Sequence, residues 1–175
     1  PGVVVRPVRL GVKLTGRHPD YHIGRRDVET GARGDAGLPG GSVARQNLRV
    51  ARVSRNLFQQ SWVGGILTNG DPSGSGRNTL IGGDARLATS TFRGHKNLSL
   101  DLFLLGTDDG ATGARDGAVG FKIDYPNDRW DLALNWRQIG ERFQPALGFV
   151  PRTGIRKTDL SPPFQPRPDA WWLRP

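Results

Sequence analysis

The chain contains no cysteine and no methionine among its 175 residues. The lack of cysteine excludes a disulfide framework, a thiol nucleophile and a cysteine-ligated metal. No run of about eighteen apolar residues occurs, which excludes a transmembrane helix. Long helical stretches are also missing, because 25 glycines and 13 prolines interrupt every helical pattern. The remaining class is a β-rich chain, either soluble or membrane-spanning, since transmembrane strands alternate and never form a long apolar run.

Both ends of the printed sequence lead us to expect an internal fragment. It opens at Pro1 without a signal peptide, and the apolar run Ala170–Pro175 breaks off where a strand would begin. We therefore expect residues 1–175 to be a single β-barrel segment, an internal fragment of a longer chain, with no second domain.

Positive charge is in excess, with 25 Lys and Arg against 16 Asp and Glu and a formal net charge of +9. Such a balance suggests a polyanionic partner, either nucleic acid or the phosphates of a lipid headgroup. A basic patch could be formed by six arginines, which are Arg25, Arg26, Arg45, Arg49, Arg52 and Arg55. Aromatic residues are not interleaved with them as a base-stacking platform requires. The sequence thus favours membrane lipid or lipopolysaccharide over nucleic acid.

A period of two in apolar residues predicts about nine strands. The pattern is clearest where Val119, Phe121 and Ile123 alternate with Gly120 and Lys122. The predicted strands are Val8–Thr15, Tyr21–Glu29, Asn47–Arg55, Trp62–Thr68, Leu80–Leu87, Leu98–Gly106, Ala118–Tyr125, Trp130–Arg137 and Thr153–Leu160. We expect an all-β, antiparallel up-and-down meander. Since single-chain bacterial barrels close with an even number of strands, nine would form a partial, open transmembrane barrel.

The predicted connections alternate in length. Short ones fall at Gly16–Asp20, Asn56–Gln60, Thr89–Lys96 and Pro126–Asp128, and long ones at Gly31–Ser42, Gly70–Arg77, Asp108–Asp116 and Gly140–Pro151. Short and long connections should therefore lie at opposite ends of the sheet, as in outer-membrane barrels.

Alternation alone leaves open which face meets water, because a soluble β-sandwich produces the same pattern. Aromatic residues at the ends of apolar faces favour a membrane, since interfacial girdles lie there. The predicted girdle consists of Tyr125, Trp130, Trp136 and Trp62. Segments of about eight to eleven residues also suit a tilted transmembrane strand. A soluble all-β binding domain is the alternative.

Several stretches resemble a known family. They are Asn47–Val53, Gly65–Asn69 and, most closely, Asp128–Arg152 with its ending Gly-Glu-Arg-Phe-Gln-Pro-Ala-Leu-Gly-Phe-Val-Pro-Arg. From about Val8 to Arg167 the chain resembles the barrel region of bacterial outer-membrane proteins of unknown function. Full-length members of that family carry an N-terminal carbohydrate-binding-like domain akin to the family-nine modules of xylanases. The resemblance implies an outer-membrane location and, through the missing domain, contact with glycans in a carbohydrate-binding or carbohydrate-hydrolysing protein. It implies no catalytic residues in this chain.

Each candidate chemical group has a plainer interpretation. The Gly-rich stretch Asn69–Arg77 lacks the Lys-Ser/Thr ending of a phosphate-binding loop. The spacing of Asp108, Asp109 and Asp116 fits no EF-hand. His18 and His22 lack a third metal ligand, and His95 is distant in sequence. No Gly-x-Ser-x-Gly elbow occurs. Charge pairing explains Asp101, Asp124 and Asp131 more simply than glycoside hydrolysis does. The sequence therefore predicts no catalytic residue, no metal and no cofactor.

Basic side chains on the polar face are the remaining candidates. Guanidinium groups bind phosphates and carboxylates through paired hydrogen bonds. We predict anion contacts in the lumen or at the rim by Arg45, Arg49, Arg52, Lys122 and Arg137. Replacing Arg45, Arg49 and Arg52 should then change anion selectivity in a bilayer recording. The expected role is structural, pore-forming or transport-associated.

Overall fold

The computed structural model describes residues 8–32, 45–74, 76–127 and 131–161. These residues form nine strands in one antiparallel sheet, in which each strand pairs with its neighbours in sequence. The strands are β1 (Val8–Arg17), β2 (Tyr21–Thr30), β3 (Gln46–Phe58), β4 (Ser61–Asn69), β5 (Asn78–Phe92), β6 (Lys96–Asp109), β7 (Ala114–Pro126), β8 (Asp131–Ile139) and β9 (Ile155–Ser161). The predicted all-β antiparallel meander is confirmed. No helix in the described part of the chain is long and apolar enough to cross a membrane.

Where the connecting residues are described, the predicted connections agree with the structure except at Asp108–Asp116, where the prediction of a long loop is wrong. β6 continues to Asp109 and β7 begins at Ala114, so only four residues, 110–113, connect them. The Asp109 carboxylate closes this turn by accepting hydrogen bonds from Ala111 N and Thr112 Oγ1, both at 2.9 Å. Gly113 completes it with a φ of 69°. Most of the predicted loop Gly31–Ser42 lies outside the described residues.

The sheet has two chemically different faces. Cross-strand pairs place Leu67 opposite Ile81, and Leu104 opposite Gly83 and Val119. We call this side the apolar face. On the other side Arg86 lies opposite Asp101, which lies opposite Lys122. We call this side the polar face.

The buried core lies on the polar face, at the end with long connections. It consists of Leu80, Ala118 and Phe143, against which other apolar side chains pack. Phe143 belongs to the segment between β8 and β9, so residues 140–154 fold back over the sheet. We call this segment the strap. No described strand packs across the apolar face, since all strand–strand contacts are between neighbours, and many of its large side chains are exposed.

Candidate functional site

The apolar face is a continuous exposed band across β4 to β8. Leu104, in the middle of β6, is 66% exposed, and Ile81, the fourth residue of β5, is 65% exposed. The same band exposes seven further aliphatic side chains, which are Val63, Leu67, Leu87, Leu102, Val119, Ile123 and Leu132. An exposed apolar surface of this extent is typical of an interaction surface with a membrane or another protein.

A polar row bounds this band at the end with long connections. Arg49, Asn69, Thr79, Asp108 and Arg115 follow one another as cross-strand partners from β3 to β7. The row is hydrogen-bonded, because Asn69 Nδ2 donates to Thr79 Oγ1 at 2.8 Å and Arg115 Nε donates to Asp108 Oδ2 at 2.9 Å. The apolar band therefore ends along a sharp line.

Aromatic rings gather at the opposite end, beside the short connections. Phe92 meets Tyr125 edge-to-face, with 6.2 Å between ring centroids. The Lys96 ammonium lies 5.8 Å from the Tyr125 ring centre, and the Arg55 guanidinium lies 5.1 Å from that of Tyr21. Sequence analysis identified Tyr125 but missed Tyr21 and Phe92, because they lie at strand ends outside the clear alternation.

The other predicted girdle residues divide between the faces. Trp136 lies on the apolar face and stacks on Phe121, with ring centroids 5.6 Å apart. Trp62 lies on the polar face, opposite Arg86 and 5.7 Å below the Arg52 guanidinium. Including Trp62 in the girdle is therefore wrong, since its alternation assigns it to the other side. Trp130 lies outside the described residues.

One charged pair interrupts the apolar face at β2. Arg25 and Asp27 occupy positions opposite Leu14 and Val12 of β1. They neutralise each other, with Arg25 Nη2 2.8 Å from Asp27 Oδ2. The apolar band is consequently continuous only on the β4 to β8 side of the sheet.

Ion pairs occupy most of the polar face. Arg52 reaches from β3 to Asp84 of β5 at 2.6 Å, and Arg86 lies 3.3 Å from Asp101. Within single strands Lys122 pairs with Asp124, and Lys157 pairs with Asp159 at 2.8 Å. The fixed charges of β3 to β9 thus largely cancel.

Several of the side chains that were predicted to contact anions therefore already take part in ion pairs. Arg52 and Lys122 already have acidic partners, and Arg45 pairs with Glu29. Arg49 lies on the apolar face, in the polar row. Arg137 lies on the polar face between Gly120 and Lys157, and its Nε is buried without a hydrogen-bond partner. Sequence spacing could not reveal the pairing of Arg52, because its partner Asp84 lies two strands away.

The strap is held to the polar face by two side chains of the sheet. Asn78 Nδ2 donates to Gln144 O at 2.9 Å, and Asn78 Oδ1 accepts from Ala146 N at 3.0 Å. The Asp116 carboxylate accepts from Arg142 N at 2.8 Å and from Gly117 N at 2.7 Å. These bonds seat Phe143 in the core, where it is 2% exposed. The motif Gly140–Arg152 thus forms a structural element on the polar face.

The candidate metal and catalytic groups are dispersed. Asp108 pairs with Arg115, Asp109 closes its own turn and Asp116 holds the strap. The described residues contain no cluster of three or more His, Cys, Asp or Glu side chains suited to a metal ion. His18 and His95 lie in connections, whereas His22 lies on the polar face of β2, opposite Ser54.

No protein-family model matches the chain, and neither a curated protein nor a solved structure matches it. The resemblance to outer-membrane proteins therefore stays a prediction.

Proposed function

We propose that this chain forms part of the wall of a bacterial outer-membrane β-barrel, with a structural, pore-forming or transport-associated role. In this arrangement the apolar face contacts lipid tails and the polar face contacts enclosed water. The observation that carries the proposal is the band of large aliphatic side chains exposed at mid-strand. In water each of these side chains would forgo part of the roughly 1.5–3 kcal/mol that full burial of such a side chain contributes.

The borders of the apolar band support a bilayer as its surroundings. Tyr125, Phe92 and Lys96 gather at one border, where amphipathic rings and long cationic side chains suit the headgroup region. The polar row from Arg49 to Arg115 lies at the other. Strands β3 to β8 contain between 9 and 15 residues, and about 9–11 residues suffice for a tilted transmembrane strand.

The ion pairs support enclosed water on the other face. Arg52–Asp84 and Arg86–Asp101 remain partly exposed, with side-chain exposures between 24% and 45%. Charges of both signs on a partly hydrated wall are typical of barrel interiors, whereas a dry core would carry aliphatic side chains instead.

A soluble all-β binding domain is the second candidate, because Arg25 and Asp27 lie on the apolar face at β2. A charged pair facing lipid is costly, whereas at a protein surface it costs little. In that case the apolar band would be a docking surface for another protein. The carbohydrate-related role implied by the family resemblance belongs to a domain outside this chain.

Fluorescence quenching separates the two candidates, because Trp136 and Trp62 are half-buried on opposite faces. Two full-length variants would each retain one of these residues, with every other tryptophan replaced by phenylalanine. In phosphatidylcholine vesicles, lipids brominated on the acyl chains should quench Trp136 strongly and Trp62 weakly. Aqueous iodide should show the reverse order. Equal quenching of both residues by iodide, with none by brominated lipid, would contradict the membrane proposal.

A further inference from the structure

The polar face changes character at β1 and β2, where the cations have no acidic partners among the described residues. Lys13 of β1 lies directly opposite Arg26 of β2, and Arg17 lies directly opposite His22. No ion pair joins Lys13, Arg17 or Arg26 to any described residue, in contrast to Arg52, Arg86, Lys122 and Lys157. Like charges directly opposite each other destabilise a sheet, so this arrangement needs a compensating anion.

Alternation explains why β1 to β3 supply no such anion. The acidic residues of β2, Asp27 and Glu29, both fall on the other face, where Arg25 and Arg45 neutralise them. β1 and β3 contain no acidic residue at all. The polar face of β1 to β3 therefore carries only positive charge within the described residues.

An open groove lies at the Arg17 end of this group of cations, and Lys13 and Arg26 lie on the same face, two positions from the lining residues Thr15 and Gly24. The volume of the groove is about 620 Å³. A β-carbon built on Gly11 or Gly24, which both lie on the polar face, would meet no atom within 4 Å, so no described side chain fills the gap left by these glycines. Hydroxyl and guanidinium donors line it, and the lining includes Thr15, Arg17, His22, Arg52 and Ser54.

We infer that this groove binds phosphate groups, and that its ligand is an oligophosphate or another molecule carrying more than one phosphate charge. The three cations carry more positive charge than a single carboxylate can neutralise. Four residue steps separate Lys13 from Arg17, which is about 13 Å along an extended strand, so one small anion cannot neutralise both ends. Guanidinium groups and hydroxyls together suit phosphate oxygens, which accept several hydrogen bonds.

This inference goes beyond the proposed function and can fail separately from it. The phosphate could belong to a soluble molecule or to a lipid headgroup, since both present the same chemistry to the groove. Loss of phosphate binding with normal lipid quenching of Trp136 would leave the membrane proposal intact.

The test is calorimetric titration of the full chain, in neutral detergent micelles, with inorganic tripolyphosphate. The test variant is K13Q/R17Q/R26Q, and the matched control is R86Q/K122Q/K157Q, which removes the same charge from the same face. We expect the test variant to bind at least about tenfold more weakly, since it loses charge-assisted hydrogen bonds. The control should bind within about threefold of the parent, because its cations are already paired. Absence of binding by the parent chain, or an equal loss in both variants, would overturn the inference.

Thermal unfolding provides a second readout that does not depend on the titration. Without ligand, K13Q/R17Q/R26Q should unfold at a higher temperature than the parent, because the opposed cations are gone. Tripolyphosphate should then raise the unfolding temperature of the parent and of the control, but not of the test variant. A test variant that tripolyphosphate stabilises as much as the parent would contradict the site.

Competition distinguishes the two sources of phosphate. Short-chain phosphatidylglycerol would be added to the micelles before the titration, with short-chain phosphatidylcholine as its control. Displacement of tripolyphosphate by phosphatidylglycerol alone assigns the groove to a lipid headgroup. Undiminished tripolyphosphate binding in both lipids assigns it to a soluble oligophosphate. Either result, with the variant pattern above, supports a phosphate site.

Discussion

Gly64 shows how a missing side chain on one strand permits an interaction between its two neighbours. It lies on the polar face of β4, between Ser54 of β3 and Asp84 of β5. A β-carbon built there would lie 2.8 Å from Asp84 Oδ1 and 3.2 Å from Arg52 Nη2. Arg52 and Asp84 can therefore meet across β4 only because residue 64 has no side chain.

Replacing Gly64 with alanine should lower the free energy of unfolding by about 1–3 kcal/mol, because the added methyl group forces the ion pair apart. The control is Gly65→Ala on the same strand, where the nearest atoms to a β-carbon are 3.7 and 3.9 Å away. Urea unfolding of both variants from phospholipid vesicles measures the difference. Equal stability of the two variants would contradict this account of Gly64.

Single residues were predictable from sequence only where one face was clearly apolar. Around Val119, Phe121 and Ile123 the alternation assigned every side chain to its observed face. β4 carries Trp62 and Ile66 on one face and Val63 and Leu67 on the other, so its two faces are almost equally apolar. The sequence of β4 therefore does not indicate which of its two faces continues the apolar face of the sheet. This is why Trp62 was assigned to the girdle.

At the scale of elements, the strap depends on contacts between residues far apart in sequence. Asn78 bonds to Gln144 and Ala146, which lie 66 and 68 positions away. Local patterns predict strands and turns, but they carry no information about such distant pairs. Residues 140–151 were therefore predicted only as a long connection between two strands, whereas they fold back on the polar face.

The strap also offers a comparison of two phenylalanines in one segment. Phe143 is 2% exposed in the core, and Phe149 is 89% exposed. Replacing Phe143 with alanine should lower the free energy of unfolding by about 3–5 kcal/mol, since a large cavity remains. Phe149→Ala should change it by less than about 0.5 kcal/mol. Similar losses for both, measured by urea unfolding, would mean that the strap is not seated as described.

At the scale of the whole molecule, the surroundings of the apolar face determine how much a charged side chain on that face lowers the free energy of unfolding. Leu104→Arg should lower the free energy of unfolding from vesicles by about 2–4 kcal/mol if the band faces lipid. Asn47→Arg, on the same face beside the polar row, should cost at most about 1 kcal/mol, because the penalty falls towards the interface. In a soluble protein Leu104→Arg would be nearly neutral, since Leu104 is 66% exposed. A stability of Leu104→Arg equal to that of the parent chain would therefore exclude lipid contact.

The number of strands in the meander fixes the relative direction of its two edge strands, β1 and β9. Every odd-numbered strand from β1 to β7 ends at a short connection. Strand direction alternates along the meander, so β9, which follows the strap, runs in the same direction as these strands. The first and last strands therefore point the same way. Joined directly, they would form a parallel ladder, unlike every other pair in the sheet. A ring with purely antiparallel neighbours can be completed only by an odd number of strands placed between these edges.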